Sequence, residues 1–572
     1  MVKLGEFLCQ RLKEAGCDDV FGVPGDFNLG LFNYIVASEL NYVGCCNELN
    51  SAYAADGYAR VKGLGCCATT YAVGELSAVN GIAGAFAESV PVVKIVGGPM
   101  RKHFKEMPLL HHTLGDYMTP YKMYEPITVD QCVLNDPRFA ARDIDRVLTN
   151  CLLYKRPVYI LVPSDMPDME IDTTDVGEWK TPVEPASEPS VLEEALEEVV
   201  ERLRKAKHPV FVPGVELIRR GLQDYFQQLT TKSHIPYATM LLSKGLISET
   251  HPNFMGLYMG QRSLPEVREA IANSDCVVII GEKLTDFNTG GFTSDFNPKS
   301  RIIINYDNVS VSSHSYNQVY IGEFLRRLVE MVPVFPDPAY EYPRAKYGCP
   351  NRRDSVISKV DEAKLDMRYI FKKLAKILPE KCILIAETGA SMFSAAETML
   401  PDGGTYIGQT FYGSIGYTVG SCLGACIALR EKGDPSRRVV LSVGDGSFQL
   451  TAQEVSTMIR YNCNPVILLI NNDGYTIERV ITDNIYNDIQ MWDYASLPKI
   501  FGGKQGIKAT THGEFDQALS HATSNPDDLV FIEAVIGRLD CNRLLKCAGR
   551  MMAMNNKLQP SITEEMLEKE QL

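Results

Sequence analysis

At 572 residues, 45% of them apolar, the chain is too long for one hydrophobic core and rich enough to fill three or four. Lys and Arg total 57 against 71 Asp and Glu, a net charge of −14 without any basic cluster, which argues against nucleic acid as a partner. Apolar stretches such as 465–470 are strand-sized, far short of the roughly 20 residues of a membrane span, so no membrane partner is expected.

Leu4, Phe7, Leu8 and Leu12 share one helical face amid Lys3, Glu6, Arg11 and Lys13, which reads as a structural helix and not a signal peptide. The sixteen cysteines include the adjacent pairs Cys45/Cys46 and Cys66/Cys67 and no C-x-x-C spacing, so reduced thiols, a cytoplasmic location and no structural zinc are expected. Strand candidates follow at 20–23, 67–71 and 92–96, the first ending in the turn Pro24-Gly25-Asp26.

Pro-rich segments at 181–190 and 332–350 divide the chain into three. In the second part Leu192, Ala195, Leu196, Val199, Val200 and Leu203 fall at helical spacing up to His208-Pro209, and strand candidates stand at 210–212, 277–280 and 302–305. The third offers strands at 383–386, 439–443 and 466–470. Strands alternating with helical stretches predict three doubly wound α/β domains with mostly parallel sheets, at 1–180, 191–345 and 360–572.

Ligands of open α/β sheets sit where strands end, so the residues just beyond them carry the chemistry. Strand 439–443 runs into Gly444-Asp445-Gly446-Ser447, and strand 466–470 into Asn471-Asn472-Asp473-Gly474. The 24 residues between Gly446 and Asn471 accommodate one helix and one strand, which brings both loops to the same sheet edge. Glycines there let backbone N–H groups approach a diphosphate, while the Asp445 carboxylate, the Asn472 amide oxygen and the Gly474 carbonyl can complete an octahedral Mg²⁺. Either half alone is ordinary turn chemistry. Together they resemble the thiamine diphosphate signature of the decarboxylase and synthase superfamily.

That resemblance implies a ring-activating glutamate at Glu48, in Cys45-Cys46-Asn47-Glu48-Leu49-Asn50. Taken alone, Glu48 is equally a helix N-terminal acid favoured by the dipole. Further segments are similar to the pyruvate decarboxylase family along nearly the whole chain: G-V-P-G-D at 22–26, G-E-L-S-A at 74–78, H-H-T-L-G-D at 111–116, D-F-N-T-G at 286–290, G-S-I-G at 413–416 and N-N-D-G-Y-T-I-E at 471–478. The resemblance implies proton-transfer roles for Asp26, His111, His112 and Glu478, an apolar wedge at Ile415, a backbone acceptor at Gly413, and Thr388 beside the aminopyrimidine ring.

It also implies a narrow pocket lined by Phe292, Thr388, Tyr412, Ile477 and Ile481, suited to pyruvate as the small-molecule 2-keto acid; Tyr412 departs from the tryptophan of yeast-type enzymes. A decarboxylase of indolepyruvate or phenylpyruvate, an acetolactate synthase-like carboligase and a non-enzymatic α/β binding protein stand as alternatives. The family's usual assembly is a homodimer or homotetramer with the active site between chains. Its activating cysteine of the middle domain has no counterpart in E-L-I-R-R at 216–220, and the charged C-terminal segment 541–572 is expected to cover the site in part.

Overall fold

A computed structural model describes residues 2–344, 349–434 and 436–568. Three sheets organise the chain, with six, seven and six strands. In the first, Asn41–Gly44, Asp19–Gly22, Gly65–Thr70, Val92–Gly98, Val158–Pro163 and Gln131–Val133 lie side by side, all parallel. The third sheet is also wholly parallel, in the order Thr405–Ile407, Ile383–Ala386, Val439–Gly444, Val466–Asn471, Val530–Val535 and Ile507–Ala509.

The middle sheet is mixed. Phe254–Leu257, Tyr237–Thr239, Pro209–Pro213, Cys276–Ile280 and Arg301–Ile304 are parallel, and Asn308–Val311 and His314–Asn317 add an antiparallel edge. Its two faces bury alternate residues of the same strands: Phe211, Val278 and Ile280 pack into one cluster, and Val210, Val212, Val277 and Ile279 into another. A strand apolar on both faces needs helices on both sides, which is why these segments read as unbroken apolar runs. All six periodic residues of the predicted middle-domain helix are buried on one side of Pro189–Lys205. The edge strands escaped the sequence reading because Ser, His and Asn dominate them and His314–Asn317 is largely exposed.

The first and third domains are joined by two helices, Glu48–Lys62 and Tyr417–Glu431. A Cβ on Gly424 would stand 1.9 Å from the Ala54 carbonyl oxygen, and one on Gly57 would stand 2.3 Å from that of Ser421. The helices therefore meet backbone to backbone, and no side chain fits at either position. One consequence is measurable: Gly424→Ala should cost about 3 kcal/mol through overpacking, seen as a lower urea midpoint. Gly177→Ala, where an added Cβ meets nothing within 4 Å, should leave the midpoint in place.

Candidate active site

Four loops converge at the carboxyl edge of the third sheet, each leaving the end of a parallel strand, as open α/β sheets dictate. A cavity of about 190 Å³ opens there, lined by Thr388, Ile415, Gly444, Asp445, Gly446, Ser447, Asn472, Gly474, Ile477 and Glu478 among others. Gly446 has no alternative, because a Cβ would meet the Tyr475 ring at 2.6 Å.

Asp445 is fully buried and accepts from the backbone N–H of Gly446 (2.9 Å) and of Gly474 (3.0 Å). Burial nonetheless pushes its carboxyl up to about 6. The Asn472 amide oxygen points at the Gly474 carbonyl oxygen (3.0 Å) and at Asp445 Oδ1 (3.1 Å), and its nitrogen at Thr476 Oγ1 (2.8 Å). Three oxygens thus face one another with no donor between them. Turned over, the amide would donate to both oxygens; kept as it stands, the cluster needs a cation. Neighbouring ligands of a small octahedral cation lie about 3 Å apart, the spacing found, so the donor set fits a hard divalent ion. Arg479, 1% exposed, holds the loop from beneath, donating to the carbonyl oxygens of Asn472 (3.3 Å), Asp473 (2.5 Å) and Asn487 (3.2 Å) and to Asp488 (2.7 Å).

The loop with Gly413 and Ile415 is gripped from the first domain. Glu88 accepts from the backbone N–H of Phe411 (2.7 Å) and Tyr412 (3.1 Å), and Asn80 Nδ2 donates to Ser414 Oγ (2.9 Å). Gly413 closes the turn by donating to the Gln409 carbonyl (3.1 Å), and Thr388 Oγ1 donates to the same carbonyl (3.3 Å). From inside, Glu387 accepts from Thr418 Oγ1 (2.7 Å) and from the N–H groups of Gly416 (3.2 Å) and Thr388 (3.0 Å).

A second group of side chains gathers at the carboxyl edge of the first sheet. His111 Nε2 lies 2.9 Å from Asp26 Oδ2, and His112 Nε2 lies 3.9 Å from Asp26 Oδ1. The two imidazoles stand edge to face at 4.5 Å, and His112 takes a left-handed backbone with φ of 70°. Such a conformation costs a non-glycine residue about 1–2 kcal/mol, and the rings of Phe27 and Tyr71 pack against it at 6.2 and 5.8 Å.

Glu48 opens its helix beside Asn47, whose side chain caps it by accepting from Asn50 N–H (2.8 Å). Its Oε1 is 3.1 Å from where a Gly74 Cβ would stand, so the glycine of G-E-L-S-A leaves room for the carboxylate. The turn is anchored on the third domain of the same chain: the buried Glu454 accepts from Asn50 Nδ2 (2.7 Å) and Cys46 N–H (3.3 Å).

Neither Glu48 nor the Asp26, His111 and His112 group belongs to the lining of the 190 Å³ cavity. Within the single chain these groups of side chains therefore do not share one cavity. Of the predicted pocket residues, Thr388 and Ile477 line the cavity, and Ile481 lies one turn beyond Ile477 on the helix Thr476–Ile481. Phe292 is 75% exposed on the middle domain, and Tyr412 lies over the first-domain helix with its hydroxyl on Asn80 Oδ1 (2.8 Å), so neither contributes to that cavity within one chain. The C-terminal helix Arg543–Asn555 packs on the helix that carries Glu478, where a Cβ on Gly549 would meet Val480 at 2.6 Å. Residues 569–572 of the expected tail lie outside the described residues.

Glycine-bounded space suited to a diphosphate, polar atoms of Asp445, Asn472 and Gly474 grouped at one point and a turn with an apolar residue are the features of a cofactor-binding α/β enzyme. Models of the thiamine pyrophosphate enzymes match the chain in three parts: the N-terminal TPP binding domain at residues 2–122, the central domain at 196–329 and the C-terminal TPP binding domain at 387–534. The chain is 38% identical to the pyruvate decarboxylase of Aspergillus fumigatus, over 97% of this chain and 98% of that protein. It is 36% identical to the Candida glabrata pyruvate decarboxylase, over 98% and 99%, and 35% identical to pyruvate decarboxylase isozyme 1 of Saccharomyces cerevisiae, over 98% and 100%. The chain belongs to the thiamine pyrophosphate enzymes and, within them, to the pyruvate decarboxylase family.

Glu387, Arg479, Glu88 and Glu454 were not singled out from the sequence. Glu387 alone left a signal, an acid at the end of the apolar strand Ile383–Ala386. Burial raises its carboxyl from 4.5 to about 7, more than the donors from Thr418 and its neighbours offset. Between those two values the fold keeps a proton that the unfolded chain has lost, so this group's contribution to stability falls as pH rises through the window and levels off above about 7. Glu387→Gln should remove that fall, by up to about 1.4 kcal/mol per pH unit. Urea midpoints of both proteins between pH 5 and 7 test it, and parallel slopes would rule it out.

Proposed function

We propose that the chain decarboxylates pyruvate non-oxidatively to acetaldehyde and carbon dioxide, using thiamine diphosphate and Mg²⁺ in an active site shared between two chains of a homodimer or homotetramer. The observation that carries it is the convergence of Asp445, Asn472 and the Gly474 carbonyl beside Ile415, in a chain 35–38% identical to proteins named pyruvate decarboxylase. Bound there, the cofactor supplies an electron sink for the bond that breaks when carbon dioxide leaves.

In this reading Asp445, Asn472 and Gly474 ligate Mg²⁺, and the backbone of Gly444, Gly446 and Ser447 faces the diphosphate. Ile415 wedges the cofactor, the Gly413 carbonyl accepts from its amino group, and Thr388 lies beside its pyrimidine ring. Glu48 holds a proton at that ring. Asp26, His111, His112 and Glu478 give and take protons at the substrate, a role suited to imidazole and carboxyl groups. Ile477 and Ile481 limit the pocket to a short side chain.

Shared assembly is supported by the separation of these groups within one chain, since the residues that line the cavity with Asp445 come from 388–478 alone. A cytoplasmic location is supported by sixteen cysteines free of disulfides, thirteen of them buried. Among the described residues no helix is long and apolar enough to cross a membrane.

Purified protein given pyruvate, thiamine diphosphate and Mg²⁺ should form acetaldehyde, followed as NADH loss with alcohol dehydrogenase, and should stop when either cofactor is withheld. Turnover of indolepyruvate but not pyruvate would overturn the substrate. Asp445→Ala should weaken Mg²⁺-dependent retention of thiamine diphosphate by about a hundredfold or more, beyond the tenfold to hundredfold typical of outer-shell losses. Glu48→Gln should retain the cofactor and lose about 10²- to 10⁴-fold in kcat. A variant with unimpaired turnover would remove Glu48 from the mechanism.

A further inference from the structure

Apart from its proposed part in proton transfer, the group at the carboxyl edge of the first sheet has the composition of a metal site. One ring nitrogen of His111, one of His112 and one carboxylate oxygen of Asp26 lie within 4.8 Å of one another, the one such set of metal-ligating side chains among the described residues. His111 Nε2 stands 2.9 Å from Asp26 Oδ2, and His112 Nε2 stands 3.9 Å from Asp26 Oδ1. Zinc binds imidazole nitrogen and carboxylate oxygen at about 2.0–2.2 Å, so two donors to one ion stand at most about 4.4 Å apart. Closing the set on a single ion therefore asks for side-chain movement of about half an ångström at most.

The imidazoles are held in place for it. The Phe27 ring packs against both, with centroids 5.0 Å from His111 and 6.2 Å from His112, and the Tyr71 ring packs against His112 at 5.8 Å. The Tyr71 hydroxyl also donates to the His111 carbonyl oxygen, which ties down the backbone between the two rings. No lysine or arginine pairs with Asp26 among the described residues, so its carboxylate keeps its charge for another partner. The side chains of Asp26 and His111 are more than half exposed, at 54% and 58%, which leaves one side of the group open to a hydrated ion.

We propose that Asp26, His111 and His112 bind a divalent transition ion of the zinc class, and that an ion held there switches decarboxylation off. The donor set selects the class: imidazole nitrogen suits zinc, copper and nickel, whereas magnesium takes oxygen donors and keeps several of its waters. The ion suited to Asp445, Asn472 and Gly474 is therefore not the ion suited to this group. A metal bonded to both imidazoles and the carboxylate occupies the lone pairs that would otherwise accept protons, so these groups can no longer exchange protons with a substrate. That consequence rests on the proton-transfer roles proposed above; the metal site rests on its geometry alone.

The test is calorimetric titration of zinc into protein saturated with thiamine diphosphate and Mg²⁺, in a Cys46→Ser background that removes the exposed thiol. About one zinc per chain is expected, bound at least tenfold more weakly in Asp26→Asn, His111→Gln and His112→Gln, with unchanged circular dichroism showing that each variant is folded. One equivalent of Cu²⁺ should give an electron paramagnetic resonance spectrum split by two nitrogens, which a site of oxygen donors cannot produce. Zinc should lower pyruvate turnover at least tenfold, and EDTA preloaded with Mg²⁺ should restore it by exchange. Absence of binding near one zinc per chain, unaltered affinity in all three variants, or a copper spectrum without nitrogen splitting would overturn the site. Unchanged turnover with zinc bound would overturn the switch. Binding is read without substrate, so a chain that failed to decarboxylate pyruvate would still report on the metal.

Discussion

The contact between the helices Glu48–Lys62 and Tyr417–Glu431, with glycine at 57 and 424, fixes the first domain on the third before any ligand arrives. Because backbone touches backbone, the two sheets cannot slide without opening a gap that no side chain is present to fill. Hydrogen bonds from the loop with Gly413 and Ile415 to Glu88, from Asn80 to that loop, and from Asn50 and Cys46 to Glu454 extend the same junction to the Gly413 loop and the Glu48 turn. Each is therefore shaped by the domain it does not belong to.

The loop residues proposed to meet a ligand were legible in the sequence, and the residues that hold those loops were not. Gly444 to Ser447 and Asn471 to Gly474 stand directly after apolar strands, and a strand end is recognisable from composition alone. The two histidines and Asp26 come from separate loops, and their grouping rests on three-dimensional proximity that spacing does not encode. Positioning residues such as Glu88 and Arg479 sit among ordinary helical sequence, and their role appears only once the loop they grip lies across from them. Phe292, assigned to the pocket by resemblance, is largely exposed in the single chain.

The strand pattern found one inner run after another, such as Val92–Gly98, Cys276–Ile280 and Val466–Asn471, but passed over the equally buried inner strands Val158–Pro163, Tyr237–Thr239 and Val530–Val535 as well as the edges. Edge strands such as Gln131–Val133 and Ile507–Ala509 are three residues long, too short to show a period. The hairpin Asn308–Asn317 is polar because one side of it faces water. Fold class survives such omissions because the inner strands and their crossover helices set the topology.

Buried ionisable groups recur wherever a loop must be exact. Glu387, Glu454 and Asp445 each collect backbone N–H groups from segments distant in sequence, and Arg479 collects carbonyl groups of its own loop, at the cost of desolvation. A charged group with several partners tolerates fewer arrangements than an apolar contact of the same size, which suits a site built from loops. Through Glu454, moreover, the turn that presents Glu48 is bolted to the helix that follows the Asp445–Thr451 segment. The distance between the Glu48 turn and the Asp445 loop is thereby set by contacts inside one polypeptide, so it is fixed as the individual chain folds.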